Sequence, residues 1–127
     1  MTIGIGLGPV EEPLPDSIRA GRGDAYIHAR AAVDRARSAP HHLRVVGRGP
    51  AGEYAESALW LLAGVLARRT DAGWEAVDSM AIHGRQVDAA ASLGITPQAM
   101  SRRLAVAGWA EDQRGRELAA HLLQEAA

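Results

Sequence analysis

Residues 86–104 read QVDAAASLGITPQAMSRRL. Val87, Ala90 and Ala91 recur at the spacing of one helix face, and Leu93 closes that helix. Gly94 stands where a helix end favours a residue that enters the left-handed region at little cost. Ile95 plugs the corner, Thr96 offers a capping hydroxyl, and Pro97 suits the first turn of a second helix. No acidic residue follows Thr96 by three positions, so a reciprocal capping box is absent. In the second helix Met100, Leu104 and Ala107 are expected to face the first, with the small Ala90 allowing close approach. Gln98, Ser101, Arg102 and Ala105 then occupy the opposite face. Two short helices joined in this way form a helix-turn-helix, placed at 85–107, whose second helix fits the major groove of DNA. Its outer face carries an amide, a hydroxyl and a guanidinium, groups that bond base edges and phosphates. Thr96, Gln98, Ser101, Arg102 and Arg103 are the expected contacts to double-stranded DNA. The competing reading is an ordinary αα-hairpin with a solvated outer face.

Upstream, residues 71–83 predict a helix with Trp74, Val77, Ala81 and Met80 inward, completing a three-helix unit with the helix-turn-helix. Downstream, Gly108-Trp109 ends the second helix, and residues 111–126 predict a final helix with Leu118, Leu122 and Leu123 as its apolar face. Trp109 is expected to pack beneath it. Residues 50–69 predict a long helix whose main stripe is Ala55, Ala58, Leu59, Leu62, Val65 and Leu66. Trp60, Leu61 and Ala63 extend apolar character to other faces, which implies burial on several sides and a second subunit. Arg68 and Arg69 suit the C-terminal end of this helix.

The N-terminal third has a different texture. TIGIGL, residues 2–7, alternates strictly, placing Ile3, Ile5 and Leu7 on one strand face and Gly4 and Gly6 on the other. The flat glycine face admits a helix or a second chain at close range. GIGLG lacks the spacing of a dinucleotide-binding turn, and prolines 9, 13 and 15 instead predict an extended acidic loop. DAYIHARAAVDRARS, residues 24–38, predicts an amphipathic helix with a stripe of Tyr26, Ala29, Val33 and Ala36. Asp24 is a candidate cap, and Arg30 with Asp34 a candidate surface pair. Leu43–Val46 predicts a second short strand. His41 and His42, on an extended segment, would point to opposite sides and read as a surface pair rather than metal ligands.

Composition narrows the chemistry. The chain has 127 residues, 47% of them apolar, enough for one compact domain or two small ones. There is no cysteine, which excludes disulfides and thiolate metal sites. There is no lysine either, so all 14 basic residues are arginine, the side chain suited to bidentate recognition of phosphate or guanine. A net charge of −1 excludes a uniformly basic coat, so any DNA contact must be a local patch. The longest apolar run, residues 58–67, is far below the ~20 residues that span a bilayer. With no signal peptide, a cytoplasmic protein without membrane contact is expected.

QVDAAASLGITPQAMSRRLAVAGW, residues 86–109, resembles the C-terminal helix-turn-helix of SatD-like bacterial proteins. It is also similar to the helix-turn-helix of sigma-factor region four and of response regulators. IGIGLG and GRGDAYIHARAAVDRAR are similar to the middle of SatD-like proteins, with their glycine-flanked strand and Ala/Arg-rich helix. The resemblance implies DNA binding, and in full-length members of that family an upstream strand-helix portion is expected before the stretch matched here.

These readings give an α+β, mostly α fold. A small strand-helix-strand portion, residues 1–49 and a candidate for dimerisation, precedes a helical DNA-binding domain at 50–127. The expected function is sequence-specific transcriptional regulation by a homodimer. The alternative is a protein-interaction or assembly module without DNA contact. An enzyme is disfavoured. No acidic pair brackets a strand turn as two-metal chemistry needs, and Asp16, Asp24 and His28, the one polar cluster near the first strand, read as solvated loop residues. The sequence implies no cofactor or metal and identifies no small-molecule effector.

Overall fold

In the computed structural model, which describes residues 1–10 and 21–127, the chain is α+β and mostly helical. The order is β1 (Ile3–Gly6), α1 (Asp24–Ala36), a 3₁₀ turn at Pro40–His42, β2 (Leu43–Val46), α2 (Pro50–Arg68), α3 (Asp71–His83), α4 (Gln86–Leu93), α5 (Pro97–Val106) and α6 (Trp109–Ala126). Two compact units emerge. One joins Met1–Leu61 to Gly115–Ala127, and the other is Leu62–Arg114. The dividing line thus runs within α2, whereas the sequence reading drew it at residue 49. None of the helices among the described residues is long and apolar enough to cross a membrane. Prolines 13 and 15 and Asp16, named for the acidic loop and the polar cluster, lie outside the described residues.

In the first unit β1 and β2 are parallel, with Ile3 opposite Leu43, Ile5 opposite Val45 and Gly6 opposite Val46. Parallel strands need a crossover, and α1 supplies it. The helix lies directly on the glycine face of β1. A Cβ on Gly4 would overlap the backbone of Val33, and one on Gly6 would overlap Ala29 and Ala25. This closeness sets the packed side of α1: of the expected stripe Ala36 is buried, Tyr26 and Ala29 are half-buried and Val33 is 36% exposed, while Ala32, not in that stripe, is fully buried. Val33 lies against Gly4 with both its backbone and its Cγ2 but keeps part of its side chain in solvent. Asp24 is not the cap; Gly23 holds that position, and Asp24 instead accepts from Arg48 Nη2 at 2.7 Å. His28 Nδ1 meets the Leu7 carbonyl at 2.6 Å.

The outer edge of β2 is closed by side chains of α2. Glu56 Oε1 accepts from the Val45 N–H at 3.0 Å, and Trp60 Nε1 donates to the Leu43 carbonyl at 2.9 Å. Arg44 donates to the same Glu56 carboxylate at 3.1 Å and lies 5.5 Å from the Trp60 ring centre. Two edge groups that would otherwise invite another strand are therefore satisfied within the chain. His41 and His42 do not lie on an extended segment. Both have positive φ, 54° and 51°, in the tight turn entering β2, and His42 Nδ1 sits 3.0 Å from the Arg37 carbonyl.

The second unit is built on a core of Ala76, Met80, Ala89, Ala90, Met100 and Leu104, bordered by Val77, Leu93, Ile95 and Trp109. Trp109 packs against this core only partly buried, and as the first residue of α6 rather than beneath that helix. Several expected core positions are not part of it. Val87 is 57% exposed and Ala91 is exposed, because α4 is rotated so that Ala89 and Ala90 face inward. On α3 the inward residues are Gly73, Ala76, Ser79 and Met80, while Ala81 is exposed and Trp74 half-exposed. On α6 the buried position of this unit is Asp112; in the part that belongs to the first unit Leu118 is exposed, Leu122 and Leu123 are half-buried, and Ala119 and Ala126 are buried.

Candidate nucleic-acid interface

The geometry of the corner between α4 and α5 follows from three residues. Gly94 has φ 67° and ψ 29°, and nothing lies within 4 Å of where its Cβ would be. Its conformation, not crowding, therefore requires glycine. Its N–H bonds the Ala91 carbonyl at 3.1 Å, and the Ile95 N–H bonds the Ala90 carbonyl at 3.0 Å. This paired closure satisfies the free carbonyls at the end of α4. Ile95 turns into the core. Thr96 then caps α5, its Oγ1 accepting from the Ala99 N–H at 3.1 Å, with Pro97 in the first turn. Thr96 is therefore first a structural residue, fixing where α5 begins.

With its start fixed, α5 divides cleanly. Met100, Leu104 and Ala107 are buried, while Gln98, Ser101, Arg102, Ala105 and Val106 are exposed and Arg103 is half-buried on the flank. The structure brings all five predicted contact residues onto one short helix and its cap. Gln98, Ser101, Arg102 and Arg103 make no side-chain hydrogen bond or ion pair within the described residues. From Ala89 to Ala110 there is no carboxylate at all. The second unit as a whole is balanced, with its acids on α3, α6 and the start of α4, so the two α5 arginines make a local positive face. Arg102, Arg103 and Val106 also wall a groove of about 230 Å³ against Thr70, Ala72 and Gly73 at the start of α3.

The far end of α5 is held by a residue that sequence reasoning placed elsewhere. Arg69, expected at the C-terminal end of α2, lies just beyond that helix and is buried. Its Nε donates to the Ala107 carbonyl at 3.0 Å, its Nη2 donates to Asp112 at 3.0 Å, and its guanidinium stacks 4.6 Å from the Trp74 ring centre. Both charged side chains are almost wholly withdrawn from water. The clamp joins the entrance of α3, the exit of α5 and the first turn of α6. Among the described residues there is no group of three or more His, Asp or Glu able to hold a metal ion.

The sequence matches no known protein-family model, no curated protein and no solved structure.

Proposed function

We propose that this chain is a sequence-specific DNA-binding transcriptional regulator, acting as a dimer through the helix-turn-helix formed by α4 and α5. The observation that carries the reading is the outer face of α5. There Gln98, Ser101 and Arg102 are exposed and unpaired on a helix whose start is fixed by Gly94 and Thr96. A helix of this length can enter the major groove, with Gln98, Ser101 and Arg102 reaching base edges and Arg103 reaching phosphate from the flank.

A second reading, a protein-interaction module without DNA contact, is favoured by one observation. Ile82, Val87 and Val106 of the same unit are 79%, 57% and 81% exposed. Binding of a labelled duplex, followed by fluorescence anisotropy over a range of salt, separates the two. The DNA reading expects saturable binding that weakens steeply with salt, and a smaller salt slope for Arg103→Ala. An anisotropy that stays flat at low salt overturns it.

A further inference from the structure

We infer that α5 reads an adenine through Gln98 and a guanine through Arg102, about two base steps apart in each half-site. The inference rests on the DNA-binding reading above and specifies its target. The exposed positions of α5 are Pro97, Gln98, Ser101, Arg102, Ala105 and Val106. Pro97, Ala105 and Val106 carry no side-chain hydrogen-bonding group. The Ser101 hydroxyl accepts or donates to any base and so discriminates weakly. Gln98 and Arg102 are the two with a pair of hydrogen-bonding atoms set side by side. An amide presents one donor and one acceptor, matching adenine N7 and N6. A guanidinium presents two parallel donors, matching guanine O6 and N7.

Both groups are free to do this. Neither has an intramolecular polar partner among the described residues, so no internal bond must break on binding. Their backbone is held at both ends of the helix. Thr96 caps the start, and Arg69 bonds the Ala107 carbonyl just past the end. Positions 98 and 102 are one turn apart on the same face, about 6 Å along the helix axis. Base pairs are stacked about 3.4 Å apart, so the two side chains address pairs separated by about two steps. Arg103 is half-buried on the flank and lines the groove beside Thr70 and Gly73, which directs it to the backbone instead.

The test is selection of bound duplexes from a random pool with the full chain, the parent beside Arg102→Gln and Gln98→Arg. The parent should enrich an adenine and a guanine about two steps apart, each favoured about tenfold to a hundredfold over other bases. Arg102→Gln should exchange the guanine for an adenine at that position alone. Gln98→Arg should make the reverse exchange at the other position. A residue that only stabilised the helix could not redirect a single base. Both positions are exposed, and unchanged thermal melts will show that the variants fold. Enrichment that is unaltered by either exchange, or weaker binding to all sequences alike, overturns the inference while leaving DNA binding intact. Absence of any retained DNA with the parent overturns the underlying reading as well.

Discussion

Arg69 and Asp112 illustrate how much single residues carry in a chain with so little large apolar surface. A buried ion pair is costly to desolvate, and one of the Arg69 nitrogens, Nη1, has no hydrogen-bond partner. What the pair contributes is definition. It ties the exit of α5 to the first turn of α6, and its partners stand 43 positions apart in sequence. Removing Asp112 alone strands a buried guanidinium, so Asp112→Ala should cost about 3–5 kcal/mol in denaturant unfolding. Replacing both together, Arg69→Met with Asp112→Leu, should cost much less. Equal losses for the single and double variants would mean that the charge pairing is not what matters. Nothing local announces such a pair. Two arginines after an apolar helix read as a solvated helix end, and Asp112 is an unremarkable member of an amphipathic pattern.

At the scale of elements, the boundaries of β2, α3 and the α4–α5 corner were legible because each is written in residues with narrow conformational use. Gly94, Thr96 and Pro97 leave few alternatives, and Met100 and Leu104 set the phase of α5. The faces of α1 and α4, and that of α3 apart from Val77 and Met80, were not legible, for one shared reason. Their close-packed sides rely on small residues, Ala32 and Ala36 in α1, Gly73, Ala76 and Ser79 in α3, Ala89 and Ala90 in α4, while the eye follows Tyr26, Trp74 and Val87. In α4 three successive alanines, 89–91, leave the helix phase undetermined by pattern alone. In α1 the phase is dictated from outside, by the glycines of β1. Gly6 is therefore a sensitive position, since any Cβ meets the α1 backbone and neither strand nor helix can shift independently. Gly6→Ala should abolish amide-exchange protection across residues 3–7 and 25–36 while leaving that of α3, α4 and α5 near the parent value. Protection retained in α1 would show that its seat on the strand is looser than the geometry implies.

For the whole molecule, the proposed dimer has its candidate seam on α2, at Leu61 rather than along the main stripe. Leu62 and Val65 are half-buried, whereas Tyr54 and Leu61, seven positions apart and so on one side of the helix, are 61% and 74% exposed. The glycine face of β1, once a candidate for a second chain, is occupied by α1, and the outer edge of β2 is occupied by Glu56 and Trp60. If two copies associate, α2 is the better seam. Light scattering should then give twice the chain mass at micromolar concentration, and Leu61→Arg should shift it toward the monomer. A parent chain that scatters as a monomer, or an unshifted variant, contradicts that arrangement without touching α5. The central claim is the DNA contact itself, and amide chemical shifts recorded while duplex DNA is added to the full chain test it most directly. The account predicts perturbations concentrated on residues 96–106, with Gln98, Ser101, Arg102 and Arg103 foremost and the buried face of α5 following weakly. Perturbations confined to α2 or β1, or none on α5 at saturating DNA, would contradict it.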